Sequence, residues 1–279
     1  MAKGKALHSF QKAFSYLFLS ALGICFAIPF IWMISSSLKQ STEIFVLPPK
    51  WIPNPPVWEN YVELFRVIPF LRFFWNSTYV TILATAGQVM SCALAAYALS
   101  RRKFFGRDVI FYTLLATMMV PGQVTIIPRF LIMRALGWLN THLPLYVPFF
   151  FGGPFGTFML RQFFFSIPRE LDDAALIDGC SQFRAFWSIY VPLSKAALTT
   201  LSLFIFMDVW NDLLSPIIYL SSPDKMTLTV GLTYFKGQYS TDWHLLMAGA
   251  VVSIVPTILV YLFAQKHFVQ GIMVGSVKG

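Results

Sequence analysis

Residues 73–100 read FFWNSTYVTILATAGQVMSCALAAYALS, 28 consecutive positions without one Asp, Glu, Lys or Arg. Wound as an α-helix this stretch extends about 42 Å, more than the roughly 30 Å of hydrocarbon in a bilayer. It predicts a membrane span that tilts or projects beyond the lipid. Five further apolar stretches of spanning length occur at 14–35, 109–128, 143–160, 196–220 and 245–265. Together they predict an all-α, polytopic membrane protein with six transmembrane helices, forming one domain over residues 1–279. Composition agrees, since 57% of the chain is hydrophobic and only 12% is charged, where soluble domains carry about 25% charged residues.

The apolar run after Lys3, Lys5 and Lys12 is too long for a signal peptide's hydrophobic region and is followed by no small-residue cleavage site, so it reads as the first span. The fourth span carries Pro144, Pro148, Gly152, Gly153 and Pro154 and is expected to be irregular there. Between the first two spans, Pro48, Pro49, Pro53, Pro55 and Pro56 favour extended or turn structure in an outer surface loop.

The net charge of +9 does not indicate nucleic acid, because the Lys and Arg residues fall in short runs beside apolar segments. An even number of spans puts both termini on one side. Thirteen of the 21 Lys and Arg residues lie in the terminal segments and in loops 101–107 and 161–195, leaving eight opposite. The positive-inside rule therefore places both termini in the cytoplasm of a cell bounded by this inner membrane.

The loop at 166–195 begins SIPRELDDAALIDGC. Pro168 suits a first helical turn, Glu170, Asp172 and Asp173 place negative charge at the positive end of the helix dipole, and Gly179 ends the helix. Leu171, Ala174, Ala175 and Asp178 follow helical spacing and predict one small face fit for close docking. A second amphipathic segment then runs to Pro192. The acidic start disfavours anionic lipid and favours a cytoplasmic partner.

Asp173-Ala174-Ala175, Gly179, Ile189 and Val191-Pro192 resemble the EAA loop of ABC-importer permeases: E-A-A, three residues, G, nine residues, I-x-L-P. Asp173 stands where the pattern has Glu, and Val191 where it has Leu; Glu170 or Asp172 are alternative acids for a salt bridge. Residues 120–128 (VPGQVTIIP), 136–141 (LGWLNT), Trp210-Asn211-Asp212 with Pro216, and the tail 265–272 with 277–279 resemble further signatures of the carbohydrate-uptake, maltose-permease-like branch. The resemblance covers roughly residues 70–279 in order.

The resemblance implies a non-catalytic permease of the type I importer fold, paired with a second permease subunit, fed carbohydrate by an extracytoplasmic solute-binding protein and driven by a separate ABC ATPase dimer. It implies that Glu170, Asp172, Asp173, Ala174, Ala175, Asp178, Gly179, Ile189 and Pro192 couple to the ATPase. The tail with Gly275, Lys278 and Gly279 would approach the ATPase interface. No cofactor is expected on this chain; ATP and Mg belong to the partner. The absence of a GxxxxGK[ST] sequence and of any His or Cys pair at metal-ligand spacing accords with that division.

For the pathway, Asp208, Asn211, Asp212 and Ser215 recur at helical spacing and either face a cavity or form an interhelical network. Thr78, Thr81, Thr85, Gln88 and Cys92 form a second polar stripe that suits either sugar hydroxyls or helix packing. Gln123, between Pro121 and Pro128 near the outer end of a proline-broken span, either packs against neighbours or serves as a gate. Two rival readings are an importer of a sugar phosphate, polyamine or other small polar solute, and a stand-alone secondary transporter or membrane enzyme, which would carry inverted repeats, ion-pair relays or a catalytic constellation not seen in the sequence.

Overall fold

A computed structural model describes residues 2–237 and 240–276, with side chains over 11–237 and 240–266. In chain order the helices are α1 (Ala2–Ser37), α2 (Glu59–Val67), α3 (Phe70–Arg101), α4 (Arg107–Ala116), α5 (Ile126–Ala135), α6 (Leu143–Tyr146), α7 (Pro154–Ser166), α8 (Glu170–Ile177), α9 (Gln182–Ala185), α10 (Val191–Leu193), α11 (Lys195–Trp210), α12 (Leu214–Tyr219), α13 (Leu228–Thr233) and α14 (Trp243–Ser276). No strand occurs among the described residues, only an isolated bridge between Lys236 and Thr241.

Four stretches cross-match in length and apolarity with a bilayer: Gln11–Ser37, Phe70–Arg101, Leu143–Ser166 and Trp243–Lys266. The fourth expected span contains the anticipated irregularity, with a 3-10 turn at Val147–Phe151 and Gly152 at φ +87° before α7 restarts at Pro154. The third is broken at a proline as anticipated, whereas the fifth departs from a continuous helix. Arg107–Met119 and Gly122–Ala135 meet at 96°, because Pro121 has no amide hydrogen to continue the ladder and holds Val120 in an extended conformation (φ −83°, ψ 115°). The fifth is continuous only over α11, and Gln182–Leu193 joins it at 80°. Beyond Trp210 the ladder cannot continue through Pro216, whose ring would clash with the carbonyl of Asp212. The outer loop also departs from expectation: past its prolines it forms α2.

Two compact units are delimited, Met1–Pro69 with Leu232–Ile254, and Phe70–Gly231 with Val255–Gly279. In the first, Asn60 Nδ2 donates to the Ser37 and Lys39 carbonyls at 2.9 Å each, satisfying acceptors that a helix C-terminus leaves open. Ser37 Oγ meets Tyr61 OH at 2.8 Å, and Lys39 Nζ lies 4.0 Å from the centre of a Trp32 ring. Burial lowers the Lys39 pKa, partly offset by Glu43.

The second unit packs α3, α7, the π-helical turn Phe186–Tyr190 and α11 around Cys92, Ala96, Tyr97, Leu160, Phe164, Tyr190 and Leu201. Lipid is as apolar as these side chains, so close packing rather than exclusion of water holds the helices, and small residues matter. A Cβ on Gly156 would sit 2.8 Å from Cys92 Sγ and 3.0 Å from Leu201. Arg161 is enclosed there too, its Nε donating to Leu99 O at 3.1 Å and its guanidinium 3.7 Å from the Phe111 ring centre.

Candidate functional site

The helix α8 is a short rod with defined ends. At its start the Asp172 and Asp173 amides donate to Arg169 O at 2.8 and 3.2 Å, so the helix begins two residues after Pro168. At its end Cys180 N donates to Ala175 O at 2.8 Å and Gly179 N to Leu176 O at 3.1 Å. With Gly179 at φ +68°, this is the paired-bond terminus that glycine in the left-handed region permits. The expected small face is divided: Ala175 is buried, whereas Leu171, Ala174 and Asp178 are exposed. The outermost apolar side chains are instead Leu176 and Ile177, 76% and 86% exposed.

Asp172 anchors this rod. Its Oδ2 lies 3.3 Å from Arg101 Nη1, and its Oδ1 accepts a 2.5 Å hydrogen bond from Tyr190 OH. The Arg101 side chain is only 3% exposed; its Nη2 also donates to the carbonyls of Phe164 and Ile167 at the end of α7, where a cation complements the helix dipole. One guanidinium thereby joins the ends of α3 and α7 to α8 and the π-helical turn. Engaged in this way, Asp172 is not free for an outside partner, whereas Glu170 and Asp173 are exposed and have no basic partner among the described residues. Ile189 packs against the core and Pro192 is exposed. The parts of Arg101 and Tyr190 were missed in the sequence; the one available signal was an arginine closing a 28-residue uncharged run.

A cavity of about 900 Å³ opens where helices break, within the size of small-molecule sites, roughly 300–1,000 Å³. Gln88 of α3, Asp208 of α11, Asn211, Asp212 and Ser215 beyond it, and Arg129 of α5 line it. The four residues from Asp208 to Ser215 do not share one helix face, since α11 stops at Trp210; the break itself turns them into the cavity. Asn211 Nδ2 donates to Met207 O at 2.7 Å and Asp212 Oδ1 accepts from Ser215 N at 3.1 Å. The Asp212 bond satisfies an amide left open in the first turn of α12, whereas Met207 O also keeps its helical bond from Asn211 N at 3.2 Å. Of the α3 stripe only Gln88 reaches this cavity. Thr78 Oγ1 bonds to Phe74 O, Thr81 is buried beside Asp212 in a much smaller gap, Thr85 is half-buried with its hydroxyl enclosed, and Cys92 packs in the core. Gln123 lies exposed in the 3-10 turn Gly122–Thr125.

The LGWLNT stretch has a structural task. Asn140, at φ +56°, accepts from Ser221 N and Ser222 N at 3.2 and 3.0 Å, and its carbonyl accepts from Lys225 Nζ at 2.7 Å. His142 Nε2 is 2.6 Å from Lys225 O, so that nitrogen carries the proton and Nδ1 accepts from Tyr79 OH. Burial lowers the His142 pKa, only partly offset by its bond to Lys225 O. The tail residues Lys278 and Gly279 lie outside the described residues; Gly275 falls within α14.

A polar cavity opened by interrupted helices, in a chain with four to six apolar helices of spanning length, is a feature that membrane transport proteins share. Residues 87–274 match the family described as binding-protein-dependent transport system inner membrane component, and the chain belongs to that family. It is 36% identical over 95% of its length to the probable ABC transporter permease protein YurM of Bacillus subtilis, covering 88% of that protein. It is 34% identical over its whole length to the sulfoquinovosyl glycerol transport system permease protein SmoH of Agrobacterium fabrum, covering 99% of it. Among solved structures, a chain of a bacterial ABC transporter involved in the import of the acidic polysaccharide alginate superposes with a TM-score of 0.81 at 25% identity, over 91% of this chain and 95% of that one. The fold is thus that of type I ABC-importer permeases.

Proposed function

We propose that this chain is one half of the channel in an ATP-driven importer of a sugar or oligosaccharide, sitting in the cytoplasmic membrane with both termini in the cytoplasm. A second permease subunit completes the channel, an extracytoplasmic binding protein delivers the sugar, and an ATPase dimer on separate chains consumes ATP and Mg. This chain itself catalyses nothing.

The observation that carries the reading is α8: a capped rod with two exposed aliphatic tips, Leu176 and Ile177, and free acids at Glu170 and Asp173, held to three other elements by Asp172. Such a rod suits a groove on a cytoplasmic partner. When the ATPase dimer closes, displacement of α8 passes through Arg101 to the ends of α3 and α7 and shifts the walls of the cavity, an allosteric coupling between two distant sites. Gln88, Asp208, Asn211 and Asp212 form this subunit's share of the pathway, and the tail at Gly275, Lys278 and Gly279 makes a second ATPase contact. Carbohydrate is favoured by the relatives, several of which are named for sugar or oligosaccharide transport.

The test is sugar-stimulated ATP hydrolysis by the reconstituted complex with its binding protein. Gly179→Val, which forces a β-branched residue into a left-handed conformation at a cost of about 1–2 kcal/mol, is expected to leave basal hydrolysis and abolish its coupling to uptake. Gly179→Asn, which tolerates that conformation, is expected to retain it. Nothing lies within 4 Å of a Cβ placed there, so the effect is conformational rather than steric. Normal uptake by the Val variant, or stimulation by a polyamine but no sugar, would replace this reading.

A further inference from the structure

Beside α8, between it and the end of α3, lies a cavity of about 390 Å³. Five cations line it: Arg101, Arg102, Lys103, Arg107 and Arg169, against the carboxylates of Asp172 and Asp173. Asp172 is taken by Arg101 and Tyr190, and Arg107 is paired with Asp108 at 3.0 Å. Arg102 donates to Tyr97 OH. Lys103 and Arg169 have no carboxylate partner among the described residues.

Two of the guanidinium groups are incompletely satisfied inside the protein. The Nε atoms of Arg101 and Arg102 are buried without an acceptor, although the Arg101 side chain is nine-tenths and more enclosed. Buried donors normally find partners, and charged ones cost most when they do not. An anion with several acceptor oxygens would offset the excess positive charge and accept from Lys103 and Arg169, which line the cavity without a carboxylate partner.

The neighbouring side chains indicate where that anion comes from. Between Lys103 and Arg107 the chain presents Phe104, 42% exposed, and Phe105, fully exposed, immediately past the end of the long apolar helix α3. Phenyl rings flanked by cations at a span end belong at the boundary of headgroups and acyl chains. Basic pockets between spans on the cytoplasmic side suit anionic headgroups.

We propose that this cavity binds the phosphate of an anionic phospholipid of the inner leaflet, with Lys103 and Arg169 as its principal ligands and Phe104 and Phe105 against its acyl chains. The acidic start of α8 by itself disfavours anionic lipid, but in this cavity five cations outnumber Asp172 and Asp173, so a headgroup held by Lys103 and Arg169 would touch the base of the coupling rod and bias its position. The proposal rests on the reading of this end as cytoplasmic, but its test reads lipid occupancy, not transport.

The experiment uses the complete complex in nanodiscs of phosphatidylcholine containing a minority of photoreactive phosphatidylglycerol, with labelled peptides mapped by mass spectrometry. Label is expected in the peptides spanning 101–107 and 169–176, displaced by unlabelled phosphatidylglycerol and not by inorganic phosphate. At about 1 kcal/mol per cation near the surface, the double variant Lys103→Gln/Arg169→Gln should weaken labelling roughly thirty-fold. Arg184→Gln, an exposed arginine that does not itself line the cavity, should not, and size-exclusion profiles establish that each variant is assembled. Equal labelling of the double variant and Arg184→Gln would overturn the site, and displacement by inorganic phosphate would overturn the lipid as its ligand. Intact labelling in a complex whose uptake proved independent of ATP would instead overturn the transport reading and leave this site standing.

Discussion

Replacing Asp172 with Asn keeps the shape of the side chain and removes the charge that faces Arg101. Breaking a fully buried ion pair by deleting one partner costs about 3–5 kcal/mol. Here Asp172 is 32% exposed and Arg101 keeps two carbonyl acceptors, so the expected cost falls to about 1–3 kcal/mol. Tyr190→Phe removes a hydroxyl that donates to the same carboxylate, with an expected loss of about 1.5 kcal/mol, the lower end for a hydrogen bond to a charged group. Because both perturb one carboxylate, their effects should fall short of additivity by about 0.5–1.5 kcal/mol. Asp173→Asn is the control, an exposed acid one residue away, expected to change stability by less than about 0.5 kcal/mol while reducing ATPase coupling. The assay is thermal unfolding of the assembled complex alongside sugar-stimulated hydrolysis. Additive losses at Asp172 and Tyr190, or equal destabilisation by Asp173→Asn, would refute a shared anchor.

Three further expectations follow from the packing and the polar groups. Gly156→Val should destabilise the bundle by about 1–3 kcal/mol through overpacking, seen as a lower unfolding temperature, and Cys92→Ala should restore part of it. Cysteines at Gln88 and Asn211 should react with a small water-soluble maleimide, whereas one at Thr85 should stay protected; equal reactivity would mean that the stripe on α3 faces water along its length. His142 has a depressed pKa in the folded protein, so the unfolded chain binds the extra proton first, and stability present above about pH 6.5 should decline as the pH falls below it. The slope of unfolding temperature against pH should flatten in His142→Gln.

The spans were legible because an uncharged run of bilayer length has almost no alternative to crossing lipid as a helix. The end of α8 was equally legible: a glycine following an acidic, alanine-containing helix is a local signal, and the bonds from Cys180 and Gly179 answer it. Local prolines were visible too, but their consequences were not. Pro121 and Pro216 announce interruptions without stating an angle, and the 96° bend or the early end of α11 depends on which neighbouring groups take up the freed carbonyls. The loop prolines from Pro48 to Pro56 similarly obscured α2, which forms once they end and Asn60 can reach the end of α1.

Sequence alone determined that this chain lives in a membrane and which loop carries the acidic helix closed by Gly179, since hydropathy and caps act over a few neighbouring residues. Tertiary structure alone decided that Asp172 rather than Asp173 is the internal anchor, that Leu176 and Ile177 rather than the small face stand outermost, and that Gln88 meets Asp208 and Asn211 around one cavity. Those outcomes depend on side chains separated by tens of positions, such as Arg101 and Asp172, whose meeting is set by how α3 and α7 pack and not by any pattern within either segment.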